Sequence, residues 1–232
     1  MTRREQLAAN LDAVRARIDQ ACVESGRDPG EVGLVVVTKF FPASDVRLLA
    51  GLGVTDVGEN RHQEAQAKAA ECADAGLRWH FIGGLQSNKA AAVAAYSDVV
   101  ESVDRPKLVA PLARGAQSAG RRLDVLVQVS LDPPGAAHRA GVAPAALRGL
   151  AEQVAGEPSL RLAGLMAVAP LGEEPGPAFA RLAQVRAELL ADHPEATVLS
   201  AGMSGDLEAA VQHGATHVRV GSAILGPRPE VL

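Results

Sequence analysis

Leu7, Leu11, Val14, Ile18 and Cys22 recur at steps of four, three, four and four, with charged and polar residues between them. That is the stripe of an amphipathic helix, and it predicts an extra N-terminal helix over about residues 3–26. After Gly30 the pattern changes. Leu34 to Val37 is a continuous apolar run rich in β-branched residues that ends at Thr38 and Lys39, as a strand buried on both faces requires.

Seven more strand candidates follow, at Thr55 to Gly58, Trp79 to Ile82, Asp98 to Ser102, Asp124 to Ser130, Arg161 to Val168, Ala196 to Ser200 and His217 to Val220. Each gap holds an Ala-, Leu- and Arg-rich stretch of helical character, and strands alternating with helices imply parallel βαβ units. Eight such units match the α/β class and a single (β/α)8 TIM barrel. A doubly wound open sheet is the alternative, because counting strands does not prove closure. Gly51 to Gly53, Gly76 and Gly214 stand just before strands, where a left-handed helix cap is easiest without a Cβ. No linker or low-complexity tract divides the chain, so residues 1–232 read as one domain.

Composition narrows the functional classes. With 23 basic against 27 acidic residues the formal charge is −4, which leaves no positive field for nucleic acid or an anionic membrane. No apolar run approaches the roughly 20 residues of a membrane span, and the N-terminus lacks a signal-peptide core; a cytoplasmic protein is expected. Cys22 and Cys72 match no metal or redox spacing and read as small buried hydrophobes. A barrel that closes its own core is expected to be a monomer.

Barrel sites lie at the C-terminal ends of the strands, which singles out Lys39, Glu59 with Asn60, His80, Ser130, Met166, Ser200 to Ser204 and Arg219 to Ser222. The chain has four lysines against nineteen arginines, yet a lysine closes the first strand. A desolvated amine can lose its proton and attack a carbonyl, whereas a guanidinium stays charged. Lys39 therefore points to a Schiff base, with a lysine snorkelling from the rim as the plain alternative. Lys68 and Lys107 lie in helical stretches and read as solvated surface; Lys89 stands where the third loop turns into a helix, near the mouth.

The second signal is Ser200-Ala-Gly-Met-Ser204 after the seventh strand, paired with Gly221-Ser222 after the eighth. Small residues let backbone amides approach an anion and hydroxyls donate to it, and these two loops are the usual phosphate cradle of this barrel. Ser204 is also expected to cap a helix from Gly205 to His213. Arg219 ends the eighth strand inside an apolar segment and needs a partner there. A barrel carboxylate is the plain candidate; if a phosphorylated pyridine fills the site, an arginine facing its ring nitrogen would disfavour protonating that nitrogen. His80 sits mid-strand, pointing into the barrel or into the helix layer. The remaining histidines show no ligand spacing, and no metal is expected.

Val37-Thr-Lys39, Gly58-Glu-Asn60, Trp79-His-Phe-Ile-Gly83 with Leu85 to Lys89, Gly164 to Ala167, Ser200 to Ser204 with Asp206, and Arg219 to Ile224 with Gly226 together resemble the pyridoxal phosphate homeostasis protein family. The match is collinear over about residues 5–228. The resemblance implies a barrel like the N-terminal domain of alanine racemase, with pyridoxal 5′-phosphate (PLP) held by Lys39 as a Schiff base. It further implies that Ser200, Gly202, Met203, Ser204, Gly221 and Ser222 hold the phosphate, that Arg219 faces the pyridine nitrogen, and that Asn60, His80 and Met166 lie around the ring. The implied role is vitamin B6 homeostasis without established turnover, with PLP-dependent apoenzymes as candidate recipients. Gly84, Arg61 and Arg139 depart from the family pattern, the last removing a secondary lysine from the fifth loop.

A racemase needs a base on each face of the ring. The only tyrosine, Tyr96, falls within the third helical stretch, away from the strand ends, and only Pro227 to Leu232 follow the eighth strand. One cofactor face is thus expected to be open. The alternatives are a PLP-dependent amino-acid racemase borrowing its second base, and a Schiff-base aldolase of sugar phosphates.

Overall fold

The structure, a computed structural model, describes residues 1–132 and 140–227. Arg139 lies outside the described residues. Helix α1 (Arg3–Glu24) starts from a capping box, with the Thr2 hydroxyl accepting from the Glu5 amide and the Glu5 carboxylate accepting from the Thr2 amide. It stops two residues before the predicted end. Gly26, at φ +67°, turns the chain so that the Gly26 and Arg27 amides donate to the carbonyls of Val23 and Cys22, a Schellman cap. The whole predicted stripe from Leu7 to Cys22 is buried, packed on α8 (Leu207–Gln212) and α9 (Ser222–Leu225) at the barrel's outer surface.

Eight strands form the barrel: β1 (Gly33–Val37), β2 (Asp56–Glu59), β3 (Arg78–Phe81), β4 (Val99–Val103), β5 (Leu123–Gln128), β6 (Leu160–Met166), β7 (Val198–Ser200) and β8 (His217–Val220). All pairings are parallel, and β1 pairs with both β2 and β8, setting Val35 opposite Asp56 on one side and opposite Arg219 on the other. That closure excludes the doubly wound sheet. Helices α2 (Ala43–Ala50), α3 (His62–Glu71), α4 (Ala90–Tyr96), α5 (Val109–Ser118), α6 (Pro144–Ala155) and α7 (Pro175–Asp192) complete the outer ring with α8.

The apolar residues divide into three groups. Two large clusters lie between strands and helices: one gathers the α4-to-α7 side around Leu112, Leu150 and Phe179, the other the α1, α2 and α8 side around Leu7, Leu49 and Val218. The third, Val99, Leu126, Ala163 and Met166, fills part of the barrel interior. The remaining interior is polar, and that asymmetry shapes the site. Cys22 and Cys72 are buried and unpaired, and no helix among the described residues is long and apolar enough to cross a membrane.

Two expectations are corrected. α8 begins at Leu207, so Ser204 and Gly205 stand in a turn before it. The N-cap position is Asp206, which makes no side-chain bond into the helix; its carboxylate turns back to accept from the Met203 amide at 2.5 Å and closes the loop before it. Lys68 is buried, not solvated, because α3 turns that face toward the ends of β1 and β2.

The burial of α1 makes a direct test. Leu11→Ala is expected to destabilise the protein by about 2–5 kcal/mol, whereas Leu171→Ala, at an 87% exposed residue, should change stability by less than about 0.5 kcal/mol. Urea denaturation of both variants checks this; equal effects refute the tight packing of α1.

Candidate functional site

A cavity of about 450 Å³ opens at the C-terminal end of the barrel, within the roughly 300–1,000 Å³ typical of small-ligand pockets. Lys39, Asn60, Met166, Met203, Ser204, Arg219, Gly221 and Ser222 all line it. Lys39 reaches it because it follows β1 directly: Val37 and Lys39 share the inner face while Thr38 points outward. Asn60 holds its place through a close backbone approach. A Cβ on Gly83 would meet the Asn60 carbonyl oxygen at 2.1 Å, so only glycine lets the third loop lie there.

The side walls are apolar or aromatic, with Phe40, Phe41, Ile82 and Val168. Gln128, on β5, also lines the cavity and donates to the Ala140 carbonyl at 2.9 Å. Sequence reasoning passed over these residues; the signal for Gln128 was a lone amide within the run Leu126 to Val129. Lys89 is exposed and stands outside the lining residues.

The rim nearest β7 and β8 carries donors that could hold an anion. The amide N–H groups of Ser204, Gly205 and Ser222 donate to no protein acceptor among the described residues, and the Ser204 and Ser222 hydroxyls stand beside them. Gly202, at φ +90°, has its carbonyl tied to the Arg219 amide at 2.9 Å. A Cβ there would meet that of Ala210 at 2.6 Å. Gly202 thus sets the path of the seventh loop from beneath and does not line the cavity.

Ser200 and His80 also lie below the cavity floor, in a charged ladder along the barrel axis. The two nitrogens of His80 bond Asp56 at 2.9 Å and Glu101 at 2.7 Å, placing the ring inside the barrel and not in the helix layer. The other oxygen of Glu101 accepts from the Ser200 hydroxyl at 2.6 Å and stands 3.8 Å from Arg219. Arg219 donates to Ser200 at 2.8 Å and to the Ala167 carbonyl at 2.9 Å. It therefore has a barrel carboxylate as partner and still lines the cavity.

Burial alone would lower the His80 pKa, but the hydrogen bonds and charges of Asp56 and Glu101 outweigh it and raise it to about 9. Burial likewise works against an ionised Glu101, yet His80, Arg219 and Ser200 hold it below the usual carboxylate range. Burial pulls Arg219 below the ordinary guanidinium value, opposed by Glu101 and Asp206. Charges thus alternate from Asp56 through His80 and Glu101 to Arg219.

A half-buried amine, a fixed guanidinium and an amide-lined rim around one cavity can bind a small phosphorylated carbonyl compound and trap it covalently. A wider groove of about 560 Å³, lined by Arg114, Arg121 and Arg122 at the N-terminal ends of β5 and β6, has no lysine and commits Arg121 to Asp98.

The chain matches the family described as the alanine racemase N-terminal domain over residues 4–229. The pyridoxal phosphate homeostasis protein of Mycobacterium leprae is 44% identical over 97% of this chain and 94% of its own. PipY of Synechococcus elongatus, solved with PLP bound, is 38% identical with a TM-score of 0.83, covering 95% of this chain and all of that one. Alanine racemase from Corynebacterium glutamicum has a TM-score of 0.71 at 16% identity, covering 97% of this chain and 62% of that one; it is similar in fold.

The ladder predicts an alkaline loss of stability. A histidine whose folded pKa exceeds its unfolded value near 6.5 contributes fully below about pH 6.5, and that contribution disappears as pH rises through about 9. Urea denaturation between pH 6.5 and 9.5 should show stability falling by at most about 1.4 kcal/mol per pH unit, with a shallower slope in His80→Gln. Equal slopes would mean that His80 is not protonated in the fold.

Proposed function

The chain belongs to the pyridoxal phosphate homeostasis proteins of the alanine racemase N-terminal domain family, and from that premise we propose that it binds pyridoxal 5′-phosphate for cellular vitamin B6 homeostasis. The observation that carries this reading is one cavity lined at once by Lys39, Arg219 and the small residues Ser204, Gly221 and Ser222. The cofactor supplies an aldehyde on a phosphorylated pyridine, which those groups match.

Lys39 contributes the amine. Its nitrogen bonds the aldehyde carbon as a Schiff base, and the carbonyl oxygen leaves as water with two protons drawn from the amine. Ser204, Ser222 and the neighbouring amides hold the phosphate, with Met203 at its edge and Gly202 fixing the loop. Asn60 and Met166 border the ring. Arg219, kept cationic by Glu101, disfavours protonating a ring nitrogen brought near it. Ser200 and His80 act from beneath by holding Glu101 and thereby Arg219.

Several observations support binding over turnover. Tyr96 lies on α4, stacked on His62 with ring centroids 5.8 Å apart, and lines a separate groove with Trp79 and Cys72. It is not placed to act as a second base at Lys39. The relatives nearly half identical to this chain carry homeostasis names, while the racemase likeness is one of fold. One barrel domain acting as a cytoplasmic monomer that delivers PLP to apoenzymes completes the reading; the unpaired cysteines suit a reducing compartment.

Purified protein mixed with PLP is expected to show visible Schiff-base absorbance that Lys39→Ala abolishes, with no exchange of the alanine Cα proton in deuterated water. Persistent colour in Lys39→Ala refutes the assignment of the lysine. Stereospecific exchange at enzymatic rates replaces binding with racemisation, and a colourless protein that borohydride links to a sugar phosphate indicates an aldolase.

A further inference from the structure

Thr38 and Phe40, the neighbours of Lys39, are both gripped from outside the barrel by one charged cluster. The Lys68 ammonium donates to the Thr38 carbonyl at 2.8 Å, to Glu59 at 2.8 Å and to Glu64 at 2.6 Å, using all three of its donors. The same Glu59 oxygen accepts from the Thr38 hydroxyl at 2.6 Å, and the same Glu64 oxygen accepts from the Phe40 amide at 2.6 Å. Lys68 and Glu59 are almost wholly buried.

Phe40 stands at φ +73°, the one non-glycine residue with positive φ among those described, and the Arg61 guanidinium covers its ring at 5.2 Å. A bulky residue persists in the left-handed region only where its surroundings over-determine it. The Glu64 carboxylate on its amide is such a constraint. Lys39 stands between these two held residues in the turn just beyond β1, and it lines the barrel mouth. A buried ion pair is poor value for stability alone, which favours a positional role.

We propose that Lys68 is a positioning residue for Lys39: through Thr38, Glu59 and Glu64 it holds the turn that aims the Lys39 amine at the carbonyl of a bound ligand. The proposal rests on the reading of Lys39 as the Schiff-base lysine.

Two probes separate aim from binding. PLP needs Lys39 to form the Schiff base, whereas pyridoxine 5′-phosphate has an alcohol in place of the aldehyde and reports the pocket alone. Lys68→Met is expected to slow Schiff-base formation, followed by stopped-flow absorbance, at least tenfold, while the Kd for pyridoxine 5′-phosphate stays within twofold of wild type. Unchanged kinetics, or an equal loss for both probes, overturns the proposal. If Lys68→Met fails to fold because Glu59 is left as a buried unpaired carboxylate, Lys68→Met with Glu59→Gln decides by the same two readouts, and if that also fails to fold, Glu64→Ala at the partly exposed end does so. Failure of the underlying reading is distinct, since Lys39→Ala would then keep the Schiff-base absorbance.

Discussion

A buried cation must be matched by a buried anion, and this barrel meets that constraint twice, once on each side of its strand ends. Inside, Glu101 lies between His80 and Arg219, with Ser200 bonded to both Glu101 and Arg219. Outside, Glu59 and Glu64 share Lys68. The inner set fixes the one guanidinium that lines the cavity among the described residues, and the outer set holds the turn that carries its amine. Neither of these two groups at the mouth is positioned by packing alone.

The barrel's geometry explains why the two sets do not merge. β1 and β2 turn alternate residues inward and outward, so Thr38 and Glu59 face α3 while Lys39 and Asn60 reach the mouth. The strand wall separates the outer charges from the ladder within. Parallel closure of β8 onto β1 then brings Gly221 against the end of β1, where a Cβ would stand 3.0 Å from the Val37 carbonyl. The last loop and the first thereby meet around one cavity, although more than 180 residues separate them.

Much of this was legible in the chain itself. All eight strands are where the apolar runs put them, β8 at both ends and the others with ends shifted by at most two residues, because burial on both faces leaves a continuous β-branched signal that pairing edges do not. Lys39 stood out because lysine is scarce here and the residue closes a strand. Lys68 did not, since a lysine among alanines and glutamines looks solvated until the topology says which helix face meets the strands. Its pairing with Glu64 four residues earlier was visible in principle; its third partner, Glu59, comes from another element. Ser200 and Ser204 look alike in one loop, yet Ser200 ends a strand and drops into the interior while Ser204 lies beyond it at the rim. Asp206 stands at the N-cap position, but its carboxylate turns back to the Met203 amide and closes the loop instead of capping the helix.

The placement of Arg219 bears on what kind of protein uses such a site. Two of its five N–H donors are held by Ser200 and the Ala167 carbonyl, and Glu101 balances its charge, so the guanidinium is fixed in place before any ligand arrives. A pyridine nitrogen beside a fixed guanidinium resists protonation, and an unprotonated ring accepts electrons poorly. A pyridine seated there, as proposed, would be oriented by that charge and would lose the feature that makes it an electron sink. Covalent capture by Lys39 needs no such sink, because forming and hydrolysing a Schiff base requires only an amine and water. Holding and releasing a carbonyl ligand, the role proposed for this site, would draw on nothing beyond that amine, that fixed charge and the donors of the rim.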